Sequence, residues 1–166
     1  MTDFIAAYTS LAALPATPLC GATIGSGGCA STLPSGVYAS SGASIGVTGN
    51  LTLDGGGDSN ARFVFQAAST ITTAAQVTAG LPGSQIILIN GAKASNVWWL
   101  AGTATTIGTY SIFNGNVLEG SASAAAITMG TGSTSCGRLL TKGAAITFDN
   151  SIASVPGNAF APPGCQ

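Results

Sequence analysis

Five short segments of this chain carry one pattern, and a pattern that recurs so often leaves few folds open. They are Ser44-Ile45-Gly46-Val47-Thr48, Ser69-Thr70-Ile71-Thr72-Thr73, Thr103-Ala104-Thr105-Thr106-Ile107-Gly108-Thr109, Ala126-Ile127-Thr128-Met129-Gly130 and Ala145-Ile146-Thr147-Phe148-Asp149. Each sets a large apolar residue (Val47, Ile71, Ile107, Met129, Phe148) between small or hydroxylated neighbours, the alternation of a strand with one buried face. Their outward positions are expected to stack as two columns: Gly46, Thr70, Thr106, Thr128, Thr147, and Thr48, Thr72, Gly108, Gly130, Asp149. The result is a flat ladder of methyls and hydroxyls, a candidate working surface.

Two other strand types recur with the first. Val37-Tyr38-Ala39, Phe63-Val64-Phe65, Val97-Trp98-Trp99-Leu100, Asn116-Val117-Leu118 and Arg138-Leu139-Leu140 are apolar on consecutive residues, as in strands buried on both faces. Leu51-Thr52-Leu53, Ile86-Ile87-Leu88-Ile89, Ser111-Ile112-Phe113, Ser135-Cys136-Gly137 and Ser151-Ile152-Ala153 follow the threonine-bearing set. Three types in fixed order describe a three-sided β-solenoid whose coils need only match their neighbours, so irregular spacing and corner insertions such as Ala79-Gly80-Leu81-Pro82-Gly83 are tolerated.

We therefore expect one domain over residues 1–166, with a helix at 2–14, a loop or cap at 15–36, coils over 37–155 and a tail at 156–166. In the helix Phe4, Ile5, Tyr8, Leu11 and Ala12 form one stripe, Thr2 can cap the start, and Pro15 and Pro18 stop it. So short a helix needs something to lie on. It is expected to cover the first or third face and leave the threonine face open.

Composition narrows the function. Only 5% of residues are charged, against about 25% in an ordinary globular chain. Four scattered cations, Arg62, Lys93, Arg138 and Lys142, cannot neutralise a run of phosphates, so nucleic acid is not an expected partner. Without histidine, acid-base catalysis near neutral pH is hard to staff. The carboxylates Asp54, Asp58, Glu119 and Asp149 show no catalytic pairing, and an approach of Glu119 to Arg138 reads as a surface ion pair. No enzyme, metal or other cofactor is expected. Asp54 and Asp58 around Gly55-Gly56-Gly57 suggest a hydrogen-bonded turn, and Trp98 and Trp99 suggest packing, one of them inward.

Cys20, Cys29, Cys136 and Cys165 have no zinc-like spacing. Sequence does not fix their pairing. Cys20 and Cys29 bracket a glycine-rich loop that a disulfide would close, and Cys136–Cys165 is the companion bridge we expect. Oxidised cysteines point outside the cytosol. No signal-peptide pattern opens the chain and no apolar run is long enough for a membrane span, so a secreted protein without a membrane partner is expected.

The chain resembles the microbial ice-binding proteins built on an irregular right-handed β-solenoid with a helix along one side. The likeness is carried by Leu51-Thr52-Leu53-Asp54-Gly55-Gly56-Gly57-Asp58-Ser59-Asn60-Ala61-Arg62-Phe63-Val64-Phe65-Gln66, by Ile87-Leu88-Ile89-Asn90-Gly91-Ala92-Lys93-Ala94-Ser95-Asn96-Val97-Trp98-Trp99, and by Gly137-Arg138-Leu139-Leu140. It implies ice and its ordered water as the partner. It also implies an ice-binding role for Thr103 and Thr106 in Thr103-Ala104-Thr105-Thr106, and for Thr131 and Thr134 in Thr131-Gly132-Ser133-Thr134, beside the face. Such relatives carry an early coil before the helix. A monomer is expected, with edge association where that coil is missing. The alternative reading is a secreted adhesin or structural surface module.

Overall fold

The computed structural model describes residues 2–26, 29, 31–76, 81–120, 126–156 and 165. Helix α1 (Thr2–Ala12) is followed by six coils, each of three short strands. The first coil holds β1 (Thr17–Pro18), β2 (Thr23–Ile24) and β3 (Thr32–Pro34), and the second β4 (Gly36–Ala39), β5 (Ile45–Val47) and β6 (Asn50–Asp54). The third holds β7 (Phe63–Ala67), β8 (Ile71–Thr73) and β9 (Gln85–Ile89), and the fourth β10 (Val97–Ala101), β11 (Thr105–Ile107) and β12 (Ile112–Asn114). The fifth holds β13 (Asn116–Glu119), β14 (Ile127–Met129) and β15 (Thr134–Cys136), and the sixth β16 (Leu139–Thr141), β17 (Ile146–Phe148) and β18 (Ile152–Ser154). Equivalent strands pair in parallel into three six-stranded sheets: sheet 1 begins with β1, sheet 2 with β2 and sheet 3 with β3. This is the expected three-sided, mainly β solenoid.

Its interior is filled by columns of like side chains. Tyr38, Phe65, Trp99, Val117 and Leu139 align in sheet 1. The rings of Phe65 and Trp99 stack with centroids 4.0 Å apart, and Phe113 of sheet 3 meets Trp99 at 5.3 Å. Trp99 is fully buried, and its indole N–H donates to the Asn114 carbonyl at 3.0 Å. Burying such rings removes large apolar areas from water, which supplies most of the driving force for this stack. Sheet 1 is apolar on its outer face too: Val64, Leu100 and Leu118 are buried beneath Phe4, Tyr8 and Leu11 of the helix, with Trp98 and Val37 alongside.

The helix is shorter than the expected 2–14. It ends at Ala12, and Ile5 is 41% exposed, so the stripe that docks is narrower than the pattern implied. Thr2 is itself the first helical residue. Two carbonyls at the helix C-terminal end, those of Leu11 and Leu14, accept from the Gln66 side-chain amide at 2.9 and 3.1 Å. A glutamine of β7 thus does what a capping residue does elsewhere. Tyr8 lies on Gly120, where a Cβ would come within 2.6 Å of the ring.

Residues 15–36 are more than the expected loop, since they hold β1, β2 and β3 and hence a complete first coil. Strands of two or three residues are too short to show periodicity. Cys20–Cys29 and Cys136–Cys165 are both disulfide-bonded, with Cα atoms 5.6 and 5.3 Å apart. Part of the expected corner insertion, Ala79 and Gly80, lies outside the described residues, as does most of the 156–166 tail. Among the described residues no helix is long and apolar enough to cross a membrane.

Candidate functional site

All five threonine-bearing segments lie on sheet 2, which the helix does not cover. Alternation sends Ile45, Val47, Ile71, Ile107, Ile127 and Met129 into the core with no exposed surface, and turns the residues between them outward. Parallel pairing aligns those outward residues in a central row: Thr23, Gly46, Thr72, Thr106, Thr128 and Thr147. Thr23, Thr72, Thr106 and Thr147 are exposed, and Gly46 and Thr128 half-buried. Adjacent strands in a sheet are about 4.8 Å apart and alternate residues along a strand about 6.7 Å. The row therefore presents hydroxyls and methyls at a fixed short repeat.

The register corrects the expected columns at one strand. Ile71 pairs with Ile45 and Thr105, so Thr72, not Thr70, stands between Gly46 and Thr106. Thr70 belongs to a flanking row with Ser44, Ala104, Ala126 and Ala145, as the backbone bonds between neighbouring coils show. Thr73 then occupies the inward row of Val47, Ile107 and Met129, a polar residue where its neighbours are apolar. It is buried and satisfied: its hydroxyl donates to the Ser111 hydroxyl at 2.9 Å and accepts the Gly108 N–H at 2.8 Å. A slip of two residues preserves the alternation of faces, which is why sequence pattern alone could not detect it.

The other flanking row holds Thr48, Ala74, Gly108, Gly130 and Asp149, with Ala74 where Thr72 was expected. Gly108 is buried and so is no outward rung. A Cβ there would lie 2.5 Å from the Thr73 carbonyl oxygen and 2.7 Å from the Ala75 nitrogen, so the glycine serves the close passage of two turns. Gly130 is half-buried with similar crowding, 2.9 Å from the Thr109 nitrogen. Thr48 and Asp149 are exposed.

Hydrogen bonds hold the margins of the face. The Thr70 hydroxyl donates to that of Ser44 at 2.8 Å, and Ser69 and Thr103 share a hydroxyl–hydroxyl bond of 3.2 Å between neighbouring coils. Thr103 is exposed at the start of its segment, ahead of Thr106 in the central row. Thr131 lies in the turn from sheet 2 to sheet 3, its hydroxyl donating to an Asp149 carboxylate oxygen at 2.5 Å. Thr134 stands on β15 of sheet 3, around the corner from the other threonines. The site residue that sequence reading missed is Thr23. Its neighbours Ala22-Thr23-Ile24-Gly25 repeat the motif, but within a loop-like stretch.

Carboxylates elsewhere have structural work. Asp54 accepts from the Gly56 N–H at 2.8 Å and the Asn90 side chain at 2.9 Å, and Asp58 from the Asn60 N–H at 2.8 Å. These bonds to its charged form, the backbone one first, hold the Asp54 carboxyl below its ordinary range. Glu119 is fully buried at the end of β13, paired along the strand with Thr141, whereas Arg138 is exposed. The expected surface placement is therefore corrected: Glu119 continues the inward row of Val117, beside Ala101 of the core. Burial raises the pKa of the Tyr8 phenol, and the charge of Glu119 raises it further.

A row of threonines on one side of a solenoid, with a helix packed on another, calls for comparison with known proteins. The profile of the Ice-binding-like family matches residues 1–153. The chain belongs to this family. It is 41% identical over 154 residues to an ice-binding protein of Nostoc sp. (strain HG1), covering 92% of this chain and 51% of that protein. It is 38% identical over 152 residues to ice-binding protein 1 of Shewanella frigidimarina (strain NCIMB 400), covering 89% of this chain and 16% of that one. The chain thus spans about half of one of these relatives and a small part of the other. Among solved structures, the ice-binding protein of the Antarctic ascomycete Antarctomyces psychrotrophicus matches with a TM-score of 0.77 and 40% identity, over 95% of this chain and 70% of that one. One from an Antarctic Flavobacteriaceae bacterium matches with a TM-score of 0.81 and 32% identity, over 97% and 35%. Both share the family's fold.

Proposed function

We propose that this protein adsorbs to ice through the outer face of sheet 2, and that adsorption rather than catalysis is its activity. The observation that carries the reading is the central row, in which five threonines from five coils stand in one register on an open face. Threonine methyls hold adjacent water in an ordered shell while hydroxyls pin it, so the face meets a lattice already partly arranged. Rigidity makes this effective, because a surface fixed by parallel ladders pays little ordering entropy on contact. Molecules held at intervals on a crystal force growth to bulge between them, which depresses the freezing point and slows recrystallisation. No cofactor is needed. Two disulfides support a secreted location.

We also read the protein as a monomer in dilute solution that associates at its last coil when concentrated. Among the described residues β16, β17 and β18 end the three sheets, and Ile146, Phe148 and Ile152 are 37%, 49% and 56% exposed. An unpaired strand edge beside apolar side chains favours pairing with another chain.

A nanolitre freezing-point assay tests the main reading. The protein is expected to shape ice crystals and hold a gap between melting and freezing. Thr106→Tyr and Thr128→Tyr should each remove most of that gap. Melting should move by no more than about 2 °C, as for a surface substitution. Round, unshaped crystals with the unaltered protein would overturn the proposal in favour of a structural or adhesive module.

A further inference from the structure

Trp99 belongs wholly to the core, but its neighbour Trp98 points outward from sheet 1 and is half-buried. It stands in one row with Val37 and Val64, next to the turns that arrive from sheet 3. Leu11 and Leu14 at the helix C-terminal end, and the turn that carries Asp58, Asn60 and Arg62, close around this row and leave a groove of about 360 Å³. That lies within the range of about 300–1,000 Å³ usual for small-molecule sites.

The polar rim of the groove is fixed by the protein itself. One Asp58 carboxylate oxygen accepts the Asn60 N–H at 2.8 Å, and the Asp58 carbonyl accepts the Ala61 N–H at 3.1 Å. The Asn96 side-chain amide donates to the Ser59 carbonyl at 3.1 Å, and the Gly36 N–H donates to the Arg62 carbonyl at 2.9 Å. A rim braced in this way loses little entropy when it takes up a ligand. Its three side chains are all exposed and differ in what they offer: Asp58 accepts, the Arg62 guanidinium donates, and the Asn60 amide does both. The chain has only four basic and five acidic side chains, yet one of each lines this groove. Among the described residues no ion pair joins them.

Opposite charges on one rim cancel for a ligand between them, which favours a neutral molecule over an anion or a cation. The floor of Trp98 and Val64 asks for an apolar surface, and the rim asks for groups that donate and accept side by side. A pyranose ring has both, with C–H bonds on its face and hydroxyls around its edge. We propose that this groove is a saccharide-binding site that takes one neutral pyranose unit, its apolar face on Trp98 and its hydroxyls on Asp58, Asn60 and Arg62. The site is separate from ice adsorption and does not depend on it, because sheet 1 and sheet 2 face different directions.

Tryptophan fluorescence tests the proposal. Of the two tryptophans, Trp99 is fully buried against Phe65, so a ligand-dependent change reports Trp98. Methyl α-glucopyranoside, methyl α-mannopyranoside and methyl α-galactopyranoside are titrated separately, with glycine betaine as a zwitterionic control. At least one pyranoside is expected to give a saturating change with a Kd of about 1 mM, as befits a ligand of that size. Asn60→Ala and Arg62→Ala should each weaken it by about tenfold, with the freezing gap unchanged. Trp98→Ala should abolish binding, which saturation-transfer NMR reads once the indole is gone; circular dichroism establishes that each variant is folded, and the two rim variants carry the test if Trp98→Ala is not. A free sugar and the end of a polysaccharide present the same ring. Retardation on an insoluble polysaccharide of the preferred sugar, reversed by its methyl glycoside, assigns the site to the chain end; a fluorescence change without retardation assigns it to the free sugar. No response to any pyranoside overturns the proposal, as does a response to betaine alone. Undiminished binding in the folded rim variants also overturns it, by placing the sugar elsewhere.

Discussion

Among the described residues, Gly46 alone interrupts the threonines of the central row on sheet 2. Nothing in its surroundings requires a glycine. A Cβ there would meet the Thr23 hydroxyl at 3.5 Å and the Thr72 hydroxyl at 3.9 Å, ordinary contacts on an open face. Gly108, by contrast, has no room for any side chain. Gly46→Thr should therefore widen the freezing gap, and it should raise stability by about 0.5–1 kcal/mol because glycine weakens a strand. Freezing-point and melting measurements on one purified sample would check both, and a narrower gap would show that the row does not act as a unit. The same scale shows where sequence reading slipped. Thr70 and Thr72 flank one isoleucine, and only the pairing of Ile71 with Ile45 decides which of them joins the row.

At the scale of elements, the helix and sheet 1 hold each other in place. Phe4, Tyr8 and Leu11 cover Val64, Leu100 and Leu118, and the Gln66 amide takes up two carbonyls at the helix C-terminal end. Gln66→Ala leaves those carbonyls without that donor. The expected cost is about 1 kcal/mol, or a fall in melting temperature of about 2–4 °C. Hydrogen exchange should quicken in the helix amides while those of sheet 2 stay protected, since the two lie on different sides of the core. Equal quickening throughout would mean that the helix is part of the cooperative core. The helix was legible from its stripe and its prolines, and the first coil was not. Thr17–Pro18 and Thr23–Ile24 are strands only because Tyr38, Ala39, Gly46 and Val47 lie beside them to pair with.

For the whole molecule, the scarcity of charge predicts a broad pH range. With no histidine and few carboxylates, stability and ice activity should be flat from about pH 5 to 9. At the acid end Asp54 contributes, because its folded-state pKa is depressed: its stabilisation is complete above the unfolded value and is lost as pH falls through the folded one. At the alkaline end burial, and then the charge of Glu119, lift the pKa of the Tyr8 phenol above its ordinary value of 10.0 and so favour the neutral form. That contribution is whole below pH 10 and disappears as pH rises through the folded pKa. Melting curves across pH should show both shoulders and no step near neutrality. The exposed last coil predicts concentration dependence as well. Sedimentation should show association that Phe148→Lys with Ile152→Lys abolishes, and equal association in both proteins would move the contact elsewhere.

Sequence by itself determined that this chain is a three-sided stack with one threonine-bearing side, because alternation within a strand and recurrence between coils are local properties of the chain. It also showed that the surface lacks the charge to recognise phosphate. Only the tertiary structure decided which rungs stand in one row, that Gly108 and Glu119 are buried, that Thr134 belongs to a different side and that a first coil exists at all. Register, burial and the pairing of two-residue strands depend on which distant residues come to lie alongside, and a chain read one residue at a time does not contain its own neighbours.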